Sequence, residues 1–85
     1  MKQFQYTIKD EVGIHARPAG MLAKTAKNFE SEILIEKDGK SANATRLMMV
    51  MGMGIKCGDT VTVTITGEDE EAAHNAMQEF FAAHL

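Results

Sequence analysis

The chain has 85 residues, enough for one domain (residues 1–85) with a small core and too few to enclose a substrate cavity, so its chemistry is expected at the surface. Hydrophobic residues make up 45% and charged residues 25%, and the 9 basic and 12 acidic residues interleave to a net charge of −3, which excludes the clustered basic face of a nucleic-acid binder. A single cysteine rules out an internal disulfide, and no apolar run reaches the roughly 18 residues of a membrane span or forms a signal peptide, so a reduced, cytoplasmic protein is expected.

Phe4, Tyr6 and Ile8 alternate with polar residues and predict a first strand with one buried face. Lys9 to Ile14 contains Gly13 and reads as a loop. From Pro18, whose missing N–H suits a first helical turn, Ala19, Leu22, Ala23, Ala26 and Phe29 follow the spacing of an amphipathic helix. Ile33 and Ile35 mark a second strand. Asp38-Gly39 then signals a tight hairpin of the type that needs positive φ at both central residues.

The third strand, around Lys40 to Ala44, is short and weakly apolar, so it belongs at an edge. Leu47 to Gly54 is apolar but unbranched and predicts a short helix closed by Gly52 or Gly54. Thr60 to Thr66 alternates throughout, with Val61, Val63 and Ile65 on one side and threonines on the other. Gly67 ends that strand. Asp69 is the expected N-cap of a last helix, beside Glu68, Glu70 and Glu71, which favour the positive end of its dipole. Ala73, Ala76, Met77 and Phe80 form that helix's inward stripe. The order β-α-β-β-α-β-α, with strands that each have one wet face, predicts an α+β two-layer sandwich with its helices together on one side.

Gly13-Ile14-His15-Ala16-Arg17-Pro18-Ala19 is the stretch that carries chemistry. It sets a histidine at the mouth of a helix whose first N–H groups lack intrahelical partners and attract anions. Arg17 adds the planar fork that matches phosphate oxygens. The helix end and Arg17 both disfavour an imidazolium, which keeps a nitrogen lone pair available for a phosphoryl group and then stabilises the product. The backbone at Ala16, Arg17 and Pro18 forms the phosphate-stabilising helix start. A solvated cap residue is the plainer reading of such a histidine, and from spacing alone both stand.

At these residues the sequence resembles the HPr family, the histidine-containing phosphocarriers of the bacterial sugar phosphotransferase system. The seven-residue segment looks like the family's active-site signature without a substitution. The resemblance extends through Asp38-Gly39-Lys40, Met53-Gly54-Ile55 and Gly67-Glu68-Asp69-Glu70. It implies an open-faced β-sandwich of four antiparallel strands with three helices on one face. It also implies that His15 accepts phosphate on Nδ1 from phosphorylated Enzyme I, charged by phosphoenolpyruvate, and donates it to the IIA domains of sugar permeases, with Arg17 assisting. No cofactor or metal is implied, and the chain would be a stoichiometric carrier.

Seven methionines are many for this length, and Met48, Met49, Met51 and Met53 cluster on a helix too short to bury all four. By the same resemblance, Leu47, Met48 and Met51 would form a docking patch with Gly20, Met21, Lys24 and Lys27. Core filling by the methionines and ordinary solvation of the lysines are the plainer alternatives. One carrier docking successive partners through one patch is expected to be a monomer. Many members carry a kinase-regulated serine where this chain has Arg46, which cannot take phosphate that way. Adjacent Thr45 lies about 100° away around a helix axis. His74 and His84 are ten residues apart, a spacing that suits solvated histidines and no metal pair, and Cys57 has no partner nearby. The rival reading is a regulatory binding module that kept the fold and patch for other partners.

Overall fold

The computed structural model describes residues 1–85, and its elements run β1 (Lys2–Thr7), α1 (Ala16–Ala26), β2 (Glu32–Lys37), β3 (Lys40–Asn43), α2 (Leu47–Gly52), β4 (Thr60–Thr66) and α3 (Glu70–His84). The most regular alternation in the sequence becomes the central strand: β4 pairs antiparallel with both β1 and β2, giving the sheet order β1-β4-β2-β3. Phe4 and Ile35 flank Val63 from either side, so one row of apolar side chains crosses three strands. Val61, Val63, Ile65, Ile33 and Ile35 are all buried on that face. On the other face, Gln3 donates to Thr64 at 3.0 Å and Thr7 pairs with Thr60 at 2.9 Å, which leaves a polar surface without helices.

The β2–β3 hairpin turns through Asp38 at φ 51° and Gly39 at φ 79°, the paired positive dihedrals that its sequence predicts. β3 is an edge strand, as its weak apolar content implies. α1 connects β1 to β2 across β4, and α2 connects β3 to β4 across β2, so both crossovers lay their helices on the apolar face. α3 packs on β1, β4 and α1. This is the predicted four-stranded antiparallel open sheet with three helices on one side. No helix is long and apolar enough to cross a membrane.

One cluster of 19 buried residues lies between the layers. Phe81 anchors it, meeting Phe4 edge-on at 5.7 Å and Tyr6 at 5.5 Å. The predicted stripe of α3 missed Phe81 and overstated Ala76, which is only half-buried. A helix wedged between β1 and α1 buries a wider arc than a helix with one neighbour. Phe29 lies beyond the end of α1 but still packs against the core. Of the two glycines expected to close α2, Gly54 does so, at φ 66° just past the cap residue Met53.

Asp69 occupies the N-cap position of α3, but its side chain does not cap the helix. Its carboxylate instead accepts the N–H groups of Glu30 and Ser31, each at 2.9 Å, and the Ser31 hydroxyl. Those bonds, led by the Ser31 hydroxyl, hold Asp69 below the usual carboxylate range and clamp the α1–β2 link to the start of α3. The Glu70 carboxylate ties the end of β4 and the chain's amine to the start of α3: it accepts Gly67 N–H at 3.2 Å and pairs with the amine of Met1 at 2.7 Å.

Candidate functional site

The loop from Ile8 to Ile14 is fastened from three directions. Ile8 N–H donates to the Asp59 carbonyl and Gly58 N–H to the Ile8 carbonyl, both at 2.8 Å, joining the loop to the entry of β4. Ile14 N–H reaches the Ile55 carbonyl at 3.0 Å. Lys9 and Asp10 N–H donate to the main-chain oxygen of Leu85 at 2.6 and 2.8 Å, past the end of α3. Within the loop, Asp10 accepts Val12 N–H through its carboxylate at 2.9 Å and Gly13 N–H through its carbonyl at 3.0 Å, a side-chain-stabilised turn.

Gly13 closes that turn at φ 80°, and a Cβ there would collide with the Ile55 carbonyl and come within 2.7 Å of Lys56 Cα. Asp59 supports the same region from below. It accepts Lys56 N–H at 2.8 Å and pairs with Lys37 at 2.7 Å, and the Lys37 hydrogen bond is the main cause of its lowered pKa. The backbone therefore delivers His15 to a fixed point.

His15 is the N-cap of α1, with extended backbone at φ −111° and ψ −173°. α1 begins at Ala16, two residues before the position inferred from Pro18. The first helical bond runs from Ala19 N–H to the His15 carbonyl at 3.0 Å, so the amides of Ala16 and Arg17 precede the ladder. The His15 side chain makes no capping bond, so the ring is not engaged by the helix's own amides. His15 is half-buried and lines an open hollow of about 310 Å³ with Asp10, Arg17, Pro18, Met21 and His84. The chain's two ion pairs, Met1–Glu70 and Lys37–Asp59, lie elsewhere, so the Arg17 guanidinium is unpaired.

Two residues of this hollow escaped the sequence reading. Asp10 gave no signal in a loop of mixed charge. His84, expected to be a solvated surface histidine, is exposed, yet its helix ends at the hollow. His74, the other histidine of α3, meets Phe4 edge-on at 5.4 Å and takes no part in the hollow.

The expected patch residues divide by burial. Met48 is 75% exposed, Met21 is just exposed, and Lys24 and Lys27 are exposed at the end of α1. Gly20, Leu47 and Met51 are half-buried, and the last two lean on the core beside fully buried Val50. α1 and α2 pack against each other, which makes their outer surfaces neighbours. Met49, one of the four clustered methionines but outside the expected docking patch, is 60% exposed and joins Met48, Met53, Lys40, Ser41 and Gly52 around a second, flatter hollow beside β3. Arg46 is exposed at the N-cap of α2. The Thr45 hydroxyl donates to Asn43 Oδ1 at 2.7 Å, and Thr45 N–H donates to the same oxygen at 3.0 Å.

The family model for the PTS HPr component phosphorylation site matches residues 2–83. The phosphocarrier protein HPr of Mycoplasma pneumoniae is 41% identical over 85 residues, covering 99% of this chain and 97% of that one. The HPr-like protein Crh of Halalkalibacterium halodurans is 41% identical over 80 residues, covering 94% and 95%. Among solved structures, HPr of Thermoanaerobacter tengcongensis superposes with a TM-score of 0.92 at 38% identity, covering 98% and 93%, and a dimer of HPr from that organism does so at 0.77, covering 98% and 95%. Fold, site segment and relatives agree: this chain belongs to the HPr family of phosphocarriers of the phosphotransferase system, which are carriers and not turnover enzymes.

Proposed function

We propose that His15 accepts a phosphoryl group from phosphorylated Enzyme I and passes it to IIA domains of sugar permeases. One observation carries this reading: the half-buried His15 ring, free of any capping bond, shares an open hollow with an unpaired guanidinium at the start of a helix. In the transfer, an imidazole nitrogen (Nδ1, on the family resemblance) forms a bond to phosphorus as the bond to the donor breaks, and the electron pair leaves with the donor. The amides of Ala16 and Arg17, the dipole of α1 and the Arg17 fork face the charge on the phosphoryl oxygens. Passing the group on reverses these events, so positioning and charge stabilisation suffice.

Partners would dock on Gly20, Met21, Lys24, Lys27, Leu47, Met48 and Met51, where flexible methionines suit more than one surface and the lysines favour acidic ones. The carrier would act as a single unit over residues 1–85, as a monomer and in the cytoplasm. Arg46 has no hydroxyl to take phosphate, which supports a carrier without the kinase-linked switch. The second reading, a regulatory module with other partners, draws on Arg46 and on the likeness to Crh.

Incubation with Enzyme I and phosphoenolpyruvate decides between them. The carrier gains one phosphoryl group that acid removes, and His15→Ala gains none. An acid-stable modification, or no modification of the wild type, refutes the carrier reading.

A further inference from the structure

The end of α3 brings a second imidazole to the phosphoryl site. His84 lies in the last turn of the helix, where the unpaired carbonyls favour a cation. Its ring rests on Phe80, four residues earlier, with centroids 4.8 Å apart, and Phe80 is itself only 7% exposed. The helix end cannot drift from the site, because the N–H groups of Lys9 and Asp10 hold the Leu85 oxygen at 2.6 and 2.8 Å. The ring is thus braced by Phe80, the backbone next to it is tethered, and it lines the same hollow as His15 and Arg17.

We infer that His84 is a positioning residue for phosphoryl transfer: its imidazolium faces the phosphoryl group across the hollow, so loading of His15 and protonation of His84 favour each other. This rests on the reading that His15 carries the phosphoryl group. The charged and titratable groups facing His84 are the Asp10 carboxylate and His15 from the loop and Arg17 from α1, with the Leu85 main-chain oxygen just past the end of α3. The hollow thus holds one guanidinium, Arg17, and one carboxylate, Asp10. A phosphoryl group adds up to two negative charges and tips that balance toward the imidazolium. By linkage, a protonated His84 favours the loaded form by the same factor.

The test begins by loading the full chain with Enzyme I and phosphoenolpyruvate and locating the label by mass spectrometry. Label anywhere but His15 overturns the underlying carrier reading, which separates that failure from failure of the inference. NMR titration of the ring protons in the loaded and unloaded chain then follows His84, with His74 as the internal reference. On loading, the His84 midpoint moves to higher pH relative to His74; no relative movement, or movement downward, overturns the inference. At equilibrium with phosphorylated Enzyme I, His84→Gln lowers the loaded-to-unloaded ratio about two- to threefold at pH 6 relative to wild type and hardly changes it at pH 8, the size expected of a screened surface charge. An unchanged ratio at pH 6 overturns it as well.

Discussion

Substituting Gly13 by alanine tests whether the loop before His15 is held by close backbone contact. Two costs add at this position. An L-residue at φ 80° forfeits about 1–2 kcal/mol, offset by about 0.4–1 kcal/mol because alanine restricts the unfolded chain more than glycine does. The new methyl also meets the Ile55 carbonyl and lies 2.7 Å from Lys56 Cα, both backbone atoms that cannot swing aside, which adds about 1–3 kcal/mol of overpacking. Gly39 supplies the control, with nearly the same dihedral, φ 79°, and nothing within 4 Å of the added carbon. Gly13→Ala is therefore expected to cost about 3 kcal/mol and Gly39→Ala about 1 kcal/mol. At about 4–8 °C per kcal/mol for a domain of this size, Tm falls by about 10–25 °C in the first and by less than about 10 °C in the second. Thermal unfolding followed by circular dichroism reads both. Equal losses in the two variants would refute the argument, because the dihedral alone would then account for the glycine.

Three further outcomes follow from the structure. Asp69 is held below the usual carboxylate range, so its bonds contribute stability above that range and lose it as pH falls through the lowered folded value; Asp69→Asn should depress Tm at pH 7, and its Tm–pH curve should meet the wild-type curve below about pH 4. Met48→Asp changes an exposed side chain, so Tm should stay within the effect of about 0.5 kcal/mol while phosphoryl transfer from Enzyme I falls about tenfold, and an unchanged transfer rate would remove Met48 from the docking surface. Thr45→Ala removes a hydroxyl donor to Asn43 and should cost about 1 kcal/mol in denaturant unfolding, while wild type exposed to ATP and the serine kinase should take no label.

Features written in short-range pattern were legible from the sequence. β4 has the limits that its alternation defines, Thr60–Thr66, because a period of two leaves no other face to bury. The Asp38-Gly39 turn was equally plain, since two adjacent positive dihedrals restrict the residue choice severely. His15 and Arg17 could be singled out because a histidine before a helix start has local physical meaning. Three features could not be read this way. The start of α1 at Ala16 was hidden because Pro18 is compatible with any place in a first turn. Asp69 carried the composition of a cap, but its partners Glu30 and Ser31 lie far back in the chain and outcompete the local bond. His84 reaches the hollow only because the loop between β1 and α1 meets the end of α3 there, and no spacing within α3 encodes that meeting.

The uncovered side of the sheet has a practical use. Gln3, Gln5 and Thr7 project from β1 into water and meet only threonines across the strand, so side chains there can be exchanged without opening the hydrophobic interior. A fluorophore or surface anchor attached at that side would leave the helical layer unobstructed, so single molecules could be watched through repeated cycles of charging and discharge.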